Sequence, residues 1–397
     1  MAGRREGAKR CLIGVIVIAP LLVSACSDSG SKSSASKCDF EGKGRCRPDS
    51  ERIDLVQPSF SNPTAVTNPL FPARQLAQVV QLGRDGNTDS RVEITPLPAT
   101  RTIDWNGKKI ETLVTQFLSL NNRRIVEVAN DYVAQADDGS VWYFGEKVSN
   151  YKNGAVKDGE GSWLAGKDGP PGLLMPAHPK AGNVFRPENI PGLVFEEDTV
   201  TATDQTVDGP RGPISGAVTI REHLRENSFE DKTNAPGYGE LRIRAEDETA
   251  DIAVAVPTDA AAPPPEGIHE NLQRTLDSLT NASGSRDDRQ RVLDSALTSS
   301  DVELRYLPVP RVDVDRMDVW VAQALLDDGN KDAWRSDVAS LETIRDRVVG
   351  ALDAGGVSRL DAALRQLRAA VEGRDPSVVA DPAHRLRDVL RGLTFRD

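Results

Sequence analysis

The chain has 397 residues, 38% of them apolar, and its 49 basic and 60 acidic side chains leave a net charge of −11. That length and apolar fraction can support two domains of ordinary size with cores that need no extra staples. The negative balance repels nucleic acid and anionic headgroups at long range, which excludes adhesion through basic patches.

The first element in chain order reads as a signal peptide, residues 1–25. Arg4, Arg5, Lys9 and Arg10 precede an apolar run from Cys11 to Ala25, and Val23-Ser24-Ala25 leads into Cys26. A basic start, an apolar core and small residues before the cut are the order of an export signal. The run has 15 residues, short of the ~20 needed to span a hydrocarbon core, so a permanent transmembrane anchor is the poorer reading. Val-Ser-Ala-Cys resembles the bacterial lipobox, which implies cleavage before Cys26 and lipid, palmitate included, on that cysteine. The alternatives are an ordinary signal peptide with an incidental cysteine, or an uncleaved helix; every version puts the rest of the chain outside the cytoplasm. Without residues 1–25 the chain keeps 45 basic and 59 acidic residues, a net −14.

Residues 26–55 read as a lipid-anchored tether. SDSGSKSSASK buries nothing and cannot offset the entropy of ordering. Cys38 and Cys46 follow in CDFEGKGRC, and an exported compartment permits them to pair in a small disulfide loop. Zinc would need two further ligands nearby, which the sequence does not offer.

From 56 to 257 the chain predicts an antiparallel β domain. Runs of β-favouring residues are separated by Asn106-Gly107, Asn121-Asn122, Asp138-Gly139 and Asn153-Gly154, pairs that supply the positive φ of tight hairpins. Leu113, Thr115 and Phe117 alternate with Thr112, Val114 and Gln116, while Val126, Val128 and Tyr132 share a face, the pattern of a sheet with one buried side. The sheet is expected from near Phe71 to Val256, with DTVTATDQTV, GAVTIREHL and GELRIRAE as later strands. Residues 159–191 hold so much Gly and Pro that they read as a long irregular loop, which in a compact domain is functional or packs as a cover.

A proline linker at 258–267 marks a boundary, after which the period changes from two to 3.6. Ile268, Leu272, Leu276 and Leu279 form one helical stripe, and Met317, Trp320, Val321, Ala324 and Leu325 another. Trp334, Val338, Leu341, Ile344, Val348 and Leu352 continue the pattern up to Gly355-Gly356, read as a C-terminal stop, and Leu360, Leu364, Leu367 and Val371 start again. Residues 268–397 therefore predict a bundle of five or six helices. The fold class is α+β, an N-terminal antiparallel sheet followed by a C-terminal helical bundle.

The stretch DYVAQADDGSVWYFGE at 131–146 resembles a family of uncharacterised exported bacterial β-rich proteins, marked by a DxxAQxxDGxVWYFGE block. GSWLAGKDGPPGLLMPAHPKAGNVFRPE at 161–188 resembles that family's next block, and NAPGYGEL at 234–241 its closing turn, with Thr233 and Asn234 where aromatics are expected. The resemblance covers about residues 68–245. It implies a β-rich extracytoplasmic domain and carries no assigned activity.

No catalytic constellation stands out. His178, His223, His269 and His384 are scattered, without a second histidine or cysteine at ligand spacing. Gly-x-Ser-x-Gly is absent. Glu266 and His269 form a single Glu-x-x-His, half of what a di-iron bundle requires. Asp85, Asn87 and Asp89 begin like a calcium loop, but Pro96 stands where the bidentate glutamate belongs, which favours a hairpin turn. The acids of VDVDRMD, 312–318, read as caps of the helix that carries Trp320. Asp131, Asp137 and Glu146 flank Trp142, Tyr143 and Phe144, as acids and aromatics do in a sugar site; the plainer reading is a turn beside core aromatics.

These observations favour a non-enzymatic, membrane-anchored extracytoplasmic module for binding or envelope assembly, with no cofactor. Its partners would be the membrane, through lipid on Cys26, and an envelope protein or lipid, but not nucleic acid. The alternative is a carrier of lipid or another amphiphile in a cavity of the β domain. Trp142, Tyr143, Phe144, Glu146, Trp163 and Met175 are the candidate ligand surface.

Overall fold

The computed structural model describes residues 46–225, 228–256, 265–280, 285–327, 329–373 and 375–396. The signal peptide, Cys26, Cys38, most of the tether and most of the proline linker lie outside them.

One antiparallel sheet of 14 strands dominates. Its first half is β1 (Gln78–Asp85), β2 (Thr88–Trp105), β3 (Lys108–Asn121), β4 (Arg124–Gln135), β5 (Val141–Lys152), β6 (Ala155–Asp158) and β7 (Trp163–Leu164). The second half is β8 (Gly172–Met175), β9 (Val184–Ile190), β10 (Val194–Gly209), β11 (Gly212–Leu224), β12 (Phe229–Ala235), β13 (Gly239–Ala245) and β14 (Glu248–Val256). β6 to β1 form a meander, β14 pairs with β1, and a second meander runs back to β9. The predicted turns close these hairpins, except that the pair expected at Asn121-Asn122 falls one residue later, at Asn122-Arg123, with Asn121 the last residue of β3. Asn106, Asn122 and Asn153 adopt φ of 51°, 46° and 53°, the left-handed region that asparagine tolerates better than most side chains.

Residues 159–191 are more regular than expected. They contain β7, β8 and β9, because both short strands hydrogen bond to β5 and convert a loop into sheet. A Cβ on Gly172 would stand 1.9 Å from the Pro187 carbonyl oxygen, so only glycine lets β8 lie this close to β9. The sheet thereby curls until its two ends meet across β8.

Six helices follow: α1 (Ile268–Thr280), α2 (Arg286–Glu303), α3 (Val309–Leu326), α4 (Lys331–Val348), α5 (Ala354–Glu372) and α6 (Ala380–Arg391). The α+β class, with the sheet preceding the helices, is as the periodicities indicate. Gly355 and Gly356 are not a stop; they lie in the first turn of α5, where Asp353 caps the Gly356 N–H at 2.5 Å.

The helices share a core with the sheet. Leu118, Leu120 and Ile125 pack with Met317, Trp320, Trp334 and Ile344, and Val80 and Val254 pack with Leu304, Val309 and Val312. Two separate bodies joined by a linker are therefore not what forms. The single buried side expected from the alternation in β3 is also corrected: Leu113, Gln116, Leu118 and Leu120 are all buried, with helices over one face and the curled sheet over the other.

A buried ion network lies in this shared interface. Arg91 grips Asp301 with two hydrogen bonds of 2.7 and 2.6 Å and Glu93 with one of 2.8 Å. Arg316 donates to Asp301 at 2.6 Å, lies 3.2 Å from Asp313 and bonds Gln78; Arg347 donates to Glu93 and to Gln116 at 2.6 Å each. The acids at 313–318 are thus not caps, since α3 begins at Val309 after Pro308 and these residues sit inside it. Asp313 joins the network, Asp315 accepts from Gln273 at 3.0 Å, and Asp318 pairs with Arg387 at 2.7 Å.

Candidate functional site

Most of the residues read as a ligand surface are core. Phe144 is fully buried and meets Phe60 and Trp105 edge-on at centroid distances of 5.4 and 6.0 Å. Tyr143 stands edge-on to Trp163 at 5.6 Å, and Met175 is buried in the same cluster. Glu146 is buried as well. Packing of large aromatics against each other and against neighbouring strands explains these positions without a ligand. Asp137 is a clasp: it accepts from the Ser59 hydroxyl at 2.8 Å and the Ser61 N–H at 2.7 Å, holding the incoming segment to the β4–β5 turn. Cys46 is buried against Phe195 and disulfide-bonded; Cys38, its expected partner, lies outside the described residues. Asp85 accepts from the Asn121 side chain at 2.9 Å at a plain β1–β2 turn.

Trp142 is buried too, at 3% exposure, but its edge lines a groove. This groove of about 610 Å³ has Trp105, Trp142, Pro170 and Pro171 in its lining, together with Arg52 and residues 54–57. That volume is in the range of small-molecule sites. Trp142 is fixed by donating its indole N–H to the Ser140 hydroxyl at 2.9 Å. Polar groups converge from the other sides. Arg52 forks onto Asp54, with hydrogen bonds of 3.1 and 2.5 Å, and Arg186 is held on Glu197 by two of 2.9 and 2.8 Å. Burial alone would lower the Arg52 pKa, but Asp54 and Asp49 outweigh it and keep the guanidinium charged. Leu55 and Val56 at the rim are 55% and 60% exposed. The Gly/Pro segment therefore lines this groove through Gly166, Gly169, Pro170, Pro171 and Gly172.

The second feature is a belt of buried acids that sequence reading missed. Asp131 on β4 stands directly opposite Glu146 on β5, and Asp131 accepts from the Tyr143 hydroxyl at 2.9 Å. Glu146 hydrogen bonds Glu188 on β9, and Glu188 also accepts from the Trp163 indole at 2.7 Å. Glu188 faces Glu196 on β10, Asp198 faces Glu222 on β11, and Glu222 faces Glu230 on β12. Lys232 pairs with Glu222 and stands 3.8 Å from Glu240.

Like charges directly opposite on neighbouring strands repel, and burial penalises the ionised form further. Burial first and acidic neighbours second raise Glu127 to about 8. Burial likewise raises Asp131 to about 6 and Glu188 to about 7, against the hydrogen bonds from Tyr143 and Trp163 that favour their charged forms. Glu146, Glu196 and Asp198 are pushed well above the usual carboxylate range, by burial and then by Glu188 or Glu222. The signal was present in the sequence as acids at positions of one parity along a strand, Glu196 and Asp198, and Glu127 and Asp131. On a strand such a pattern ordinarily marks a solvent face.

The fold and groove define the class of an antiparallel β body backed by helices, with a preformed aromatic and polar groove at its Gly/Pro segment. No family model, no curated protein and no solved structure matches the chain. The resemblance carried by residues 131–146 and 161–188 thus stands on those motifs.

Proposed function

We propose that the chain is a lipid-anchored extracytoplasmic binding module whose ligand seat is the groove between Trp105, Trp142 and Pro170-Pro171. The observation that carries this reading is the lining itself. The half-buried Trp105 indole, over the edge of the buried Trp142 and next to Arg52, Asp54 and Asn189, offers apolar contact beside fixed donors and acceptors. This is the mixture that orients a ligand with hydroxyls around an apolar ring, an envelope saccharide above all. The carrier reading draws less support. The curled sheet sets Glu146, Glu188, Glu196 and Asp198 on buried positions where an acyl chain would need hydrocarbon. A hydrolase built on Asp131, Asp137 and Glu146 also draws less support. Asp137 is a surface clasp, and Glu146 is buried against another carboxyl in place of facing a cleft.

Two experiments test the two halves of the proposal. Soluble envelope saccharides titrated into the purified mature chain are expected to change tryptophan fluorescence saturably. Trp105→Ala is expected to weaken that binding by about tenfold or more, as loss of a central aromatic contact does; an unaltered titration would remove the groove from the proposal. For the anchor, Cys26→Ala in the native host is expected to shift the protein from the membrane fraction to the soluble one. Wild-type protein that carries no acyl mass would refute lipidation.

A further inference from the structure

We infer that Glu196, Asp198 and Glu222 form a binding site for a hard divalent cation, calcium in the first place. A carboxylate oxygen from each lies within 4.8 Å of the other two, on two adjacent strands in which Asp198 and Glu222 are directly paired. Rigid strands therefore fix the donors before any ion arrives.

Proximity of acids is common, so the inference rests on a second observation. Asp198 is 5% exposed, and its Oδ1 is enclosed with no hydrogen-bond donor. A buried carboxylate oxygen left without a donor costs several times what a hydrogen bond returns. Its carboxyl neighbours Glu196 and Glu222 offer it no donor while they are ionised. The nearby cation, Lys232, is committed to Glu222 and Glu240. Four buried carboxyls thus share one ammonium, and a divalent ion among them would satisfy the oxygen that Lys232 does not reach.

The donor set selects the class of ion. With oxygen donors alone, and neither histidine nor thiolate among them, the site suits calcium, magnesium or manganese over zinc or copper. Calcium tolerates irregular geometry and takes six to eight oxygens, which carboxylates fixed by sheet register can supply with solvent, whereas magnesium demands a near-ideal octahedron. Glu196, the member with 8% exposure, is the side from which an ion and its waters would arrive.

The test uses the purified mature chain, stripped with chelator and held at constant ionic strength near neutral pH. Calcium chloride is expected to bind saturably at one ion per chain by calorimetry and to raise Tm by several degrees, with magnesium weaker. Asp198→Asn and Glu222→Gln each remove ligand charge and are expected to weaken calcium binding by about tenfold or more, while leaving the calcium-free Tm unchanged or higher because repulsion is relieved. Should either variant fail to fold, Glu196→Gln at the most exposed member answers the same question with less disturbance. The inference is overturned if wild-type protein shows neither heat nor Tm shift with calcium beyond the sodium chloride control, or if folded variants bind calcium as tightly as wild type.

Discussion

Replacing Arg316 by methionine is expected to lower the unfolding free energy by about 3–5 kcal/mol, the usual consequence of stranding partners of a buried ion pair. Arg316 is fully buried and touches both halves of the molecule: Asp301 at the end of α2, Asp313 on its own helix, and Gln78 on β1. Without it Asp301 keeps only Arg91, and Asp313 keeps Gln78 at 3.3 Å and the more distant Arg347 at 3.7 Å. Urea unfolding should show a lower midpoint at unchanged slope, in a single transition, because sheet and helices share this network. A cycle with Asp301→Asn should give a coupling above about 1 kcal/mol. A loss under about 1 kcal/mol, or two separated transitions, would mean that the helices are held to the sheet by apolar contact alone.

The second large effect is in the pH dependence of stability. Glu127 is raised from the ordinary value of 4.5 to about 8 by burial and then by Asp131 and Glu188. Between those two pH values the folded chain keeps a proton that the unfolded chain has released, so stability is lost as the pH rises through the window. Asp131, raised to about 6, adds in the same direction over a narrower range. Each such group contributes up to about 1.4 kcal/mol per pH unit, so chelator-treated protein should lose several kcal/mol between pH 5 and 8.

At the acid end the sign reverses. Burial would raise Glu93, but Arg316, Arg91 and Arg347 outweigh it and hold the carboxyl well below the usual range; Asp301 is lowered against its burial by Arg91 and Arg316. Their stabilisation is present above the unfolded carboxylate pKa and is lost as the pH falls through the folded one. Maximum stability is therefore expected near pH 5. Glu127→Gln, which mimics the protonated acid, should flatten the alkaline limb by roughly one group's share. A stability curve that rises from pH 5 to 8 would contradict the protonated state of this belt.

The hairpins were legible because their chemistry is local: Asn106-Gly107 and Asn153-Gly154 have few conformations other than a tight turn. The helices were legible from their stripes, and α4 and α5 bury the residues those stripes name, such as Val338, Leu341, Leu360 and Leu364. What was not legible depends on partners distant in sequence. β7 and β8 exist because β5 lends them hydrogen bonds, so composition alone reads Trp163–Met175 as loop. Asp313, Asp315 and Asp318 look like surface or cap residues until Arg316, Gln273 and Arg387 surround them. For the groove, Trp142 and Pro170-Pro171 were in view, but Arg52 and Trp105 belong to segments that only the fold brings beside them.

The meeting of the sheet's ends across β8 bears on how copies of the protein coexist at high concentration. An open strand margin is a template for pairing with a neighbour's strand and so for aggregation. Here the β6 margin is four residues long. The far margin, β9, is overlaid by β8 and by Ile53, whose N–H donates to the Val184 carbonyl at 2.9 Å. Among the described residues the sheet therefore presents little unpaired strand backbone to a neighbouring copy.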